Sequence, residues 1–248
     1  MHRFFIAQPF AQEMDITGLD AHHIIDVLRM QPGSKLQVVA DDGISFIGEV
    51  ARLGENQVTV RVIEILRESG EPTVQISLLQ GLAKGDKMDT VVQKAVEIGV
   101  TDIYPVALTH SVVVLDAARA AKKTERWAKI AEAAAKQSKR NIVPLVHPVM
   151  PLAEAIAEAA PELLLAAYES ENQVGLKAVL QAHKKARRIS VVIGPEGGLT
   201  NEEIAVVTAA GGVSVSLGRR ILRTETAGLV VATAILYETD NLGPGEGR

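Results

Sequence analysis

Cysteine is absent from the 248 residues, which removes disulfides, thiolate zinc sites and thiol nucleophiles together and fits a reducing compartment. Aromatic residues make up only 3%, too few for the stacked platform on which single-strand binders lay successive bases. Any contact with nucleic acid must therefore rest on Arg and Lys. Excess positive charge is also lacking: 26 Lys and Arg against 30 Asp and Glu give a formal net charge of −4. No global basic field draws the chain onto polyanions, so a nucleic-acid site has to be local. No apolar run approaches the roughly 18 residues a membrane helix needs. The start, Met1 to Phe10, has only Arg3 as a firm positive charge and too short an apolar run for a signal peptide. The expectation is a cytoplasmic chain with no membrane partner.

What is present reads as two segments. Residues 1–70 carry strand-like runs at Arg3 to Ala7, Lys35 to Ala40, Ile44 to Arg52 and Gln57 to Leu66, with turn signals at Asp41-Asp42-Gly43 and Leu53-Gly54-Glu55-Asn56. One helix interrupts them: Asp20 is placed to cap Ala21 to Met30, and Pro32-Gly33 ends it. The pattern predicts a small antiparallel barrel with a helical insert. Glu68 to Pro72 reads as a linker, and residues 73–240 then alternate strands with helices, as an α/β domain with a mainly parallel sheet does. Strands are expected at Val74 to Gln80, Asp102 to Val106, Glu162 to Ala167, Ile189 to Ile193 and Val213 to Leu217. Helices are expected after Asp86 and closing at Gly99, over Ala121 to Lys139, over Ile204 to Ala210 behind a Thr200/Glu203 capping box, and over Ala227 to Tyr237. The last is apolar almost all round and must be buried in the core or in a subunit interface. Residues 241–248, rich in Gly, read as a disordered tail.

Most familiar site patterns fail. Gly81 to Lys87 is too short for a phosphate loop and no Ser or Thr follows its Lys. His22 and His23 are adjacent and point apart, so no metal site is expected. What remains is Gly194-Pro195-Glu196-Gly197-Gly198, between a buried-type strand and a capped helix, where so many glycines imply close approach of backbone to a ligand. The next strand ends in Leu217-Gly218-Arg219-Arg220-Ile221-Leu222-Arg223, followed by Thr224-Glu225-Thr226 and a helix. Two such loops at neighbouring strand ends fit the rule that α/β sheets bind ligands beyond the carboxyl ends of their strands.

These two motifs, in this order, resemble the knotted SPOUT methyltransferases, and among them the 16S ribosomal RNA uracil-N3 methyltransferase family. The similarity extends to Arg3-Phe4-Phe5, to His22-His23 and Leu28-Arg29, to Lys84 through Met88, to Gln93-Lys94 and Glu97 through Gly99, and to Gln137-Ser138 and Arg140. The resemblance implies a PUA-like β-barrel over 1–70, a trefoil-knot methyltransferase domain over 73–240, a homodimer with composite sites, and S-adenosyl-L-methionine as cofactor. The implied substrate is 16S rRNA within the small ribosomal subunit.

The cofactor would lie against Gly194, Pro195, Glu196, Gly197, Gly198, Leu217, Gly218, Leu222 and Thr226, glycine leaving the space it needs. Methyl transfer to N3 of uracil requires loss of the N3 proton, and Arg223 and Glu225 are the local candidates to stabilise the anion or accept the proton. Carbon methylation by covalent addition would need a thiol, which this chain lacks. RNA contacts are expected from Arg3, Arg29, Lys84, Lys87, Lys94, Arg126, Arg140, Arg219 and Arg220. A ribose 2′-O methyltransferase of the same fold, and an RNA-binding assembly factor without catalysis, stay open as alternatives.

Overall fold

The computed structural model describes residues 1–66, 70–112 and 115–243. Its contacts divide the chain into two compact units, Met1–Glu71 with Lys139–Ile142, and Pro72–Ser138 with Val143–Arg248.

The first unit is a five-stranded, curled half-barrel. Its strands are β1 (Arg3–Ile6), β2 (Glu13–Thr17), β3 (Lys35–Ala40), β4 (Ser45–Leu53) and β5 (Gln57–Leu66), in the spatial order β1-β3-β4-β5-β2. β1 joins β3 in parallel and the other pairs are antiparallel. Alternate residues point inward, so Phe4, Met14, Ile16, Leu36, Val38, Phe46, Val50, Val58 and Val60 form one core. β2 was not expected from the sequence. Its run Glu13-Met14-Asp15-Ile16-Thr17 offers only two apolar side chains, and pairing with β5 decides the outcome.

The inserted helix also starts earlier than its apparent cap. Helix α1 is Gly18–His22, entered from Thr17, so Asp20 lies inside its first turn and does not cap it. A π-helical turn, His23–Val27, follows and ends at Arg29, which takes a left-handed φ of 50°. Glu71 is not linker either: its carboxylate accepts from the buried Arg140 (2.6 Å) and from the Asn141 and Ile142 amides (2.7 and 3.2 Å). Residues 67–69, the other part of the expected linker, lie outside the described residues.

The second unit is built on a seven-stranded sheet in which every pairing is parallel. Its strands are β6 (Gln75–Gly81), β7 (Asp102–Ala107), β8 (Leu145–Val146), β9 (Met150–Pro151), β10 (Leu163–Ala167), β11 (Arg188–Ile193) and β12 (Val213–Val215). The order runs β12-β10-β11-β6-β7-β8, with β9 also on β7. Helices α2 (Lys87–Ile98), α3 (Ala117–Gln137), α4 (Leu152–Ala159), α5 (Leu176–Ala182), α6 (Asn201–Ala209) and α7 (Thr224–Glu238) complete it. β6, β10 and β11 read as continuous apolar runs because helices cover both faces of a parallel sheet.

Helix α3 begins four residues before the expected start, because Asp116 caps it by accepting from the Arg119 amide at 2.8 Å. The capping box of α6 is complete: Thr200 Oγ1 accepts from Glu203 N (3.2 Å) while Glu203 Oε2 accepts from Thr200 N (2.9 Å). After β12, at the edge of the sheet, the chain returns to α7, which packs on α2, β6 and β11. Of the expected tail, Asn241 holds Thr73 through its side chain (2.7 Å to the Thr73 amide), and residues 244–248 lie outside the described residues.

Candidate active site

Register brings the site together. Gln80, Ile193, Ala167 and Val215 stand in one row across β6, β11, β10 and β12, so the residues that follow them open on the same carboxyl edge. A cavity of about 410 Å³ lies there, lined by Lys87, Ala167 through Glu169, Ile193 through Gly198, Ser216 through Gly218, Arg220 through Thr224, and Ala227. That volume falls within the roughly 300–1,000 Å³ of small-molecule sites.

The expected cofactor residues Gly194, Pro195, Glu196, Gly197, Gly198, Leu217, Gly218 and Leu222 all line this cavity, whereas Thr226 is exposed and does not. Glycine is needed, though for reasons that differ by position. A Cβ on Gly194 would meet the Gly198 carbonyl carbon at 2.7 Å, one on Gly197 would meet His110 Cβ at 2.8 Å, and one on Gly198 would overlap the Glu169 carboxylate. These three keep space for the protein's own groups. Gly218 has open space around its Cα and is held by its φ of 99°.

Thr224 fastens the two loops. Its buried hydroxyl donates to the Gly194 carbonyl (2.6 Å) and accepts from Gln80 Nε2 (2.8 Å), whose amide is fully buried and also donates to the Gly81 carbonyl at 3.1 Å. The end of β6, the glycine-rich loop and the start of α7 are thereby one hydrogen-bonded unit.

Arg223 and Glu225, the two expected catalytic residues, part company. Arg223 lines the cavity at the N-cap of α7, exposed and with no ion pair among the described residues. A cation at the positive end of a helix dipole is unfavourable, and no carboxylate among the described residues pairs with it. Glu225 does not line the cavity; its buried Oε2 has no hydrogen bond, and the Lys87 ammonium lies 3.6 Å away.

Lys87 sits between Glu225 and Glu196 (2.9 Å to the latter). The hydrogen bond to Glu196 raises its pKa, desolvation opposes that, and the charges of Glu196 and Glu225 reinforce it. Burial pushes Glu196 up, but bonds from Lys87 and from the Lys84 amide bring it below the usual carboxylate range.

The expected RNA-contacting cations sort into two groups. Arg126 pairs with Asp89, Lys94 with Glu97, Arg140 with Glu71 and Lys87 as above, while Arg3 donates to Asn141. Arg29, Lys84, Arg219 and Arg220 have no side-chain ion pair among the described residues, and Arg220 lines the cavity with Arg223. Missed at the level of sequence were Tyr168, Glu169, Ser216 and Thr224. The first two follow the expected strand Glu162 to Ala167, and its carboxyl end next to the glycine-rich strand was the available signal. The described residues hold no cluster of His, Asp or Glu suited to a metal.

Comparison with known proteins agrees with this geometry. A family model described as an RNA methyltransferase domain matches residues 70–236, and one described as an RNA methyltransferase PUA domain matches residues 16–63. A relative from Bacillus subtilis (strain 168), named ribosomal RNA small subunit methyltransferase E, is 37% identical, with 98% of each chain covered. The crystal structure of a ribosomal RNA small subunit methyltransferase E from Neisseria gonorrhoeae, bound to S-adenosyl methionine, is 31% identical with a TM-score of 0.84, covering 96% of this chain and 97% of that one. A putative methyltransferase from Legionella pneumophila, in complex with the same cofactor, is 30% identical with a TM-score of 0.80, covering 95% and 96%. The cavity, the two loops and these likenesses agree: the chain belongs to the ribosomal RNA small subunit methyltransferase E family.

Proposed function

We propose that this protein transfers the methyl group of S-adenosylmethionine to N3 of a uridine in 16S rRNA of the small ribosomal subunit, in the cytoplasm. The observation that carries the reading is Arg223, an exposed cation without a charge partner among the described residues, on the wall of a cavity lined by Gly194 to Gly198. The residues present fit the cofactor: backbone of two glycine-containing loops for an adenine, uncommitted carboxylate and guanidinium groups, and a cavity of adequate size. When bound, the cofactor supplies an electrophilic methyl on a sulfonium.

The chain's own part is positioning and charge. Arg223 orients the uracil and stabilises negative charge on it once the N3 proton is lost, while the Lys87 bridge holds Glu196 and Glu225 and fixes the loop and the first turn of α7. Glu225, facing Lys87 at 3.6 Å and off the cavity wall, shapes the site through that contact. Arg219, Arg220, Lys84 and Arg29 are the cations free to meet phosphates.

The composite site rests on a homodimer. Thr226, Val230, Thr233 and Tyr237 form an exposed, uncharged stripe on α7, with Tyr237 74% exposed, and Ile221 in the loop before α7 is 83% exposed. A second copy of the chain would cover this stripe.

The deciding experiment is methylation of small-subunit particles followed by mass spectrometry of the nucleosides. 3-Methyluridine is the expected product. A 2′-O-methylated nucleoside would replace base methylation with ribose methylation, and no product despite cofactor binding would leave an RNA-binding factor.

A further inference from the structure

Of the carboxylates around the cavity, one has no task inside the protein. Glu196 is occupied by Lys87 (2.9 Å) and by the Lys84 amide (3.1 Å), and Glu225 faces Lys87. The Tyr168 hydroxyl is spent on Asn201 (2.8 Å), and Ser216 Oγ accepts from the Gly218 amide (3.3 Å). Glu169 lines the cavity and has neither a hydrogen bond nor an ion pair among the described residues. It is nonetheless held in place. Its carboxylate is wedged against Gly198, where a Cβ would collide with it. The loop it starts is clamped by Glu171, which accepts from the Gln173 amide (2.8 Å), the Val174 amide (3.0 Å) and Ser214 Oγ (2.7 Å).

Position adds a chemical direction. Glu169 follows the carboxyl end of β10, the strand beside β11, from which the glycine-rich loop departs. In nucleotide-binding α/β sheets an acid on the strand next to the glycine loop accepts from a ribose hydroxyl. A carboxylate offers two oxygens, acceptor-only when ionised, and a cis-diol offers two donors at matching separation. We propose that Glu169 recognises the 2′- and 3′-hydroxyls of the cofactor's ribose and so selects a ribonucleoside methyl donor. This rests on the cavity's being the S-adenosylmethionine site.

Calorimetry tests it with 5′-methylthioadenosine and its 2′-deoxy counterpart, which share the adenine and carry no sulfonium, alongside S-adenosylmethionine itself. The wild-type protein should prefer the ribonucleoside about tenfold or more, as a charge-assisted hydrogen bond provides. Glu169→Ala should bind both thioethers equally and weakly, and Glu169→Gln should keep part of the preference through its remaining carbonyl oxygen. Melting of each variant near the wild-type temperature would show that the fold is intact, since Glu169 is exposed.

Wild-type discrimination that survives in Glu169→Ala overturns the assignment while leaving the cofactor site standing. A loss seen only with S-adenosylmethionine assigns Glu169 to the sulfonium charge and overturns diol recognition. Failure of the wild-type protein to bind any of the three overturns the cofactor site itself.

Discussion

The hydroxyl of Thr224 donates to the carbonyl of Gly194 at 2.6 Å, so the first residue of α7 holds the first residue of the glycine-rich loop. Gln80 supplies the complementary donor from the central strand at 2.8 Å. Both ends of this chain of bonds are buried, and removing its middle takes the hydroxyl donor from the Gly194 carbonyl and leaves the Gln80 amide only its bond to the Gly81 carbonyl. Thr224→Val should therefore lower stability by about 1–3 kcal/mol, the usual cost of stranding buried polar groups. It should weaken cofactor binding as well, while Thr224→Ser stays near wild type in both. Thermal melting and calorimetry measure the pair of effects; a Val variant as stable as the Ser variant would remove the hydroxyl from this role.

Arg223 should be needed for turnover far more than for cofactor binding. Arg223→Ala is expected to slow single-turnover methylation by roughly 10²-fold, the scale seen when one electrostatic stabiliser is removed. Arg223→Lys should also be slow because it loses the planar fork. Normal rates in the Ala variant would exclude the role, and collapse of cofactor affinity together with rate would move Arg223 into the cofactor loop.

The glycines separate by the reason each is glycine. Gly197→Ala places a methyl 2.8 Å from His110 Cβ, so it should lower the melting temperature, and His110→Gly, which removes that Cβ, should recover part of the loss in the double variant. Gly218→Ala meets nothing within 4 Å and is strained only by its φ of 99°. Its stability cost should be on the order of 1 kcal/mol, and His110→Gly should not change it.

Acid should loosen the loop that carries Glu169. Bonds from the Gln173 amide, Ser214 and the Val174 amide lower Glu171 to about 2 from its ordinary 4.5. Because the folded value is depressed, its contribution is present above about 4.5 and is lost as pH falls toward 2. Denaturant titrations should show Glu171→Ala less stable than wild type at pH 7, with the gap closing near pH 2. A gap that persists at pH 2 would assign the difference to packing.

The stripe on α7 predicts self-association. Val230→Asp with Tyr237→Asp puts carboxylates on an exposed apolar face without touching the buried Val231 and Ile235. Light scattering should show a dimer for wild type and a monomer for the double variant, which should also lose methylation. An unchanged mass would rule out this face as the dimer contact.

Local signals carried much of this into the sequence. Alternation and turn residues gave β3 and β5 at their observed bounds, and the capping box located α6, because each is decided within a few residues. Both ligand loops were legible as glycine-containing segments after apolar strands. Their internal logic was not. Glycine at 197 answers to His110 and glycine at 198 to Glu169, contacts that only the folded sheet creates. Lys87 looked like a phosphate contact until Glu196 appeared beside it, and the Lys84 amide meets the same carboxylate across 112 residues. Helix α1 and strand β2 were misjudged because pairing with β5 overrides weak local preference.

The amino-terminal unit also has a timetable. Arg140 and the Asn141 and Ile142 amides close around Glu71, and Asn141 takes the guanidinium of Arg3, so this unit includes a stretch translated well after its last strand. On the ribosome the strands of the half-barrel emerge first, and Arg140 and Asn141 can reach Glu71 and Arg3 only once residue 142 has left the exit tunnel. A gene fragment cut after residue 71 would encode every strand of the half-barrel and lack the segment that closes around Glu71.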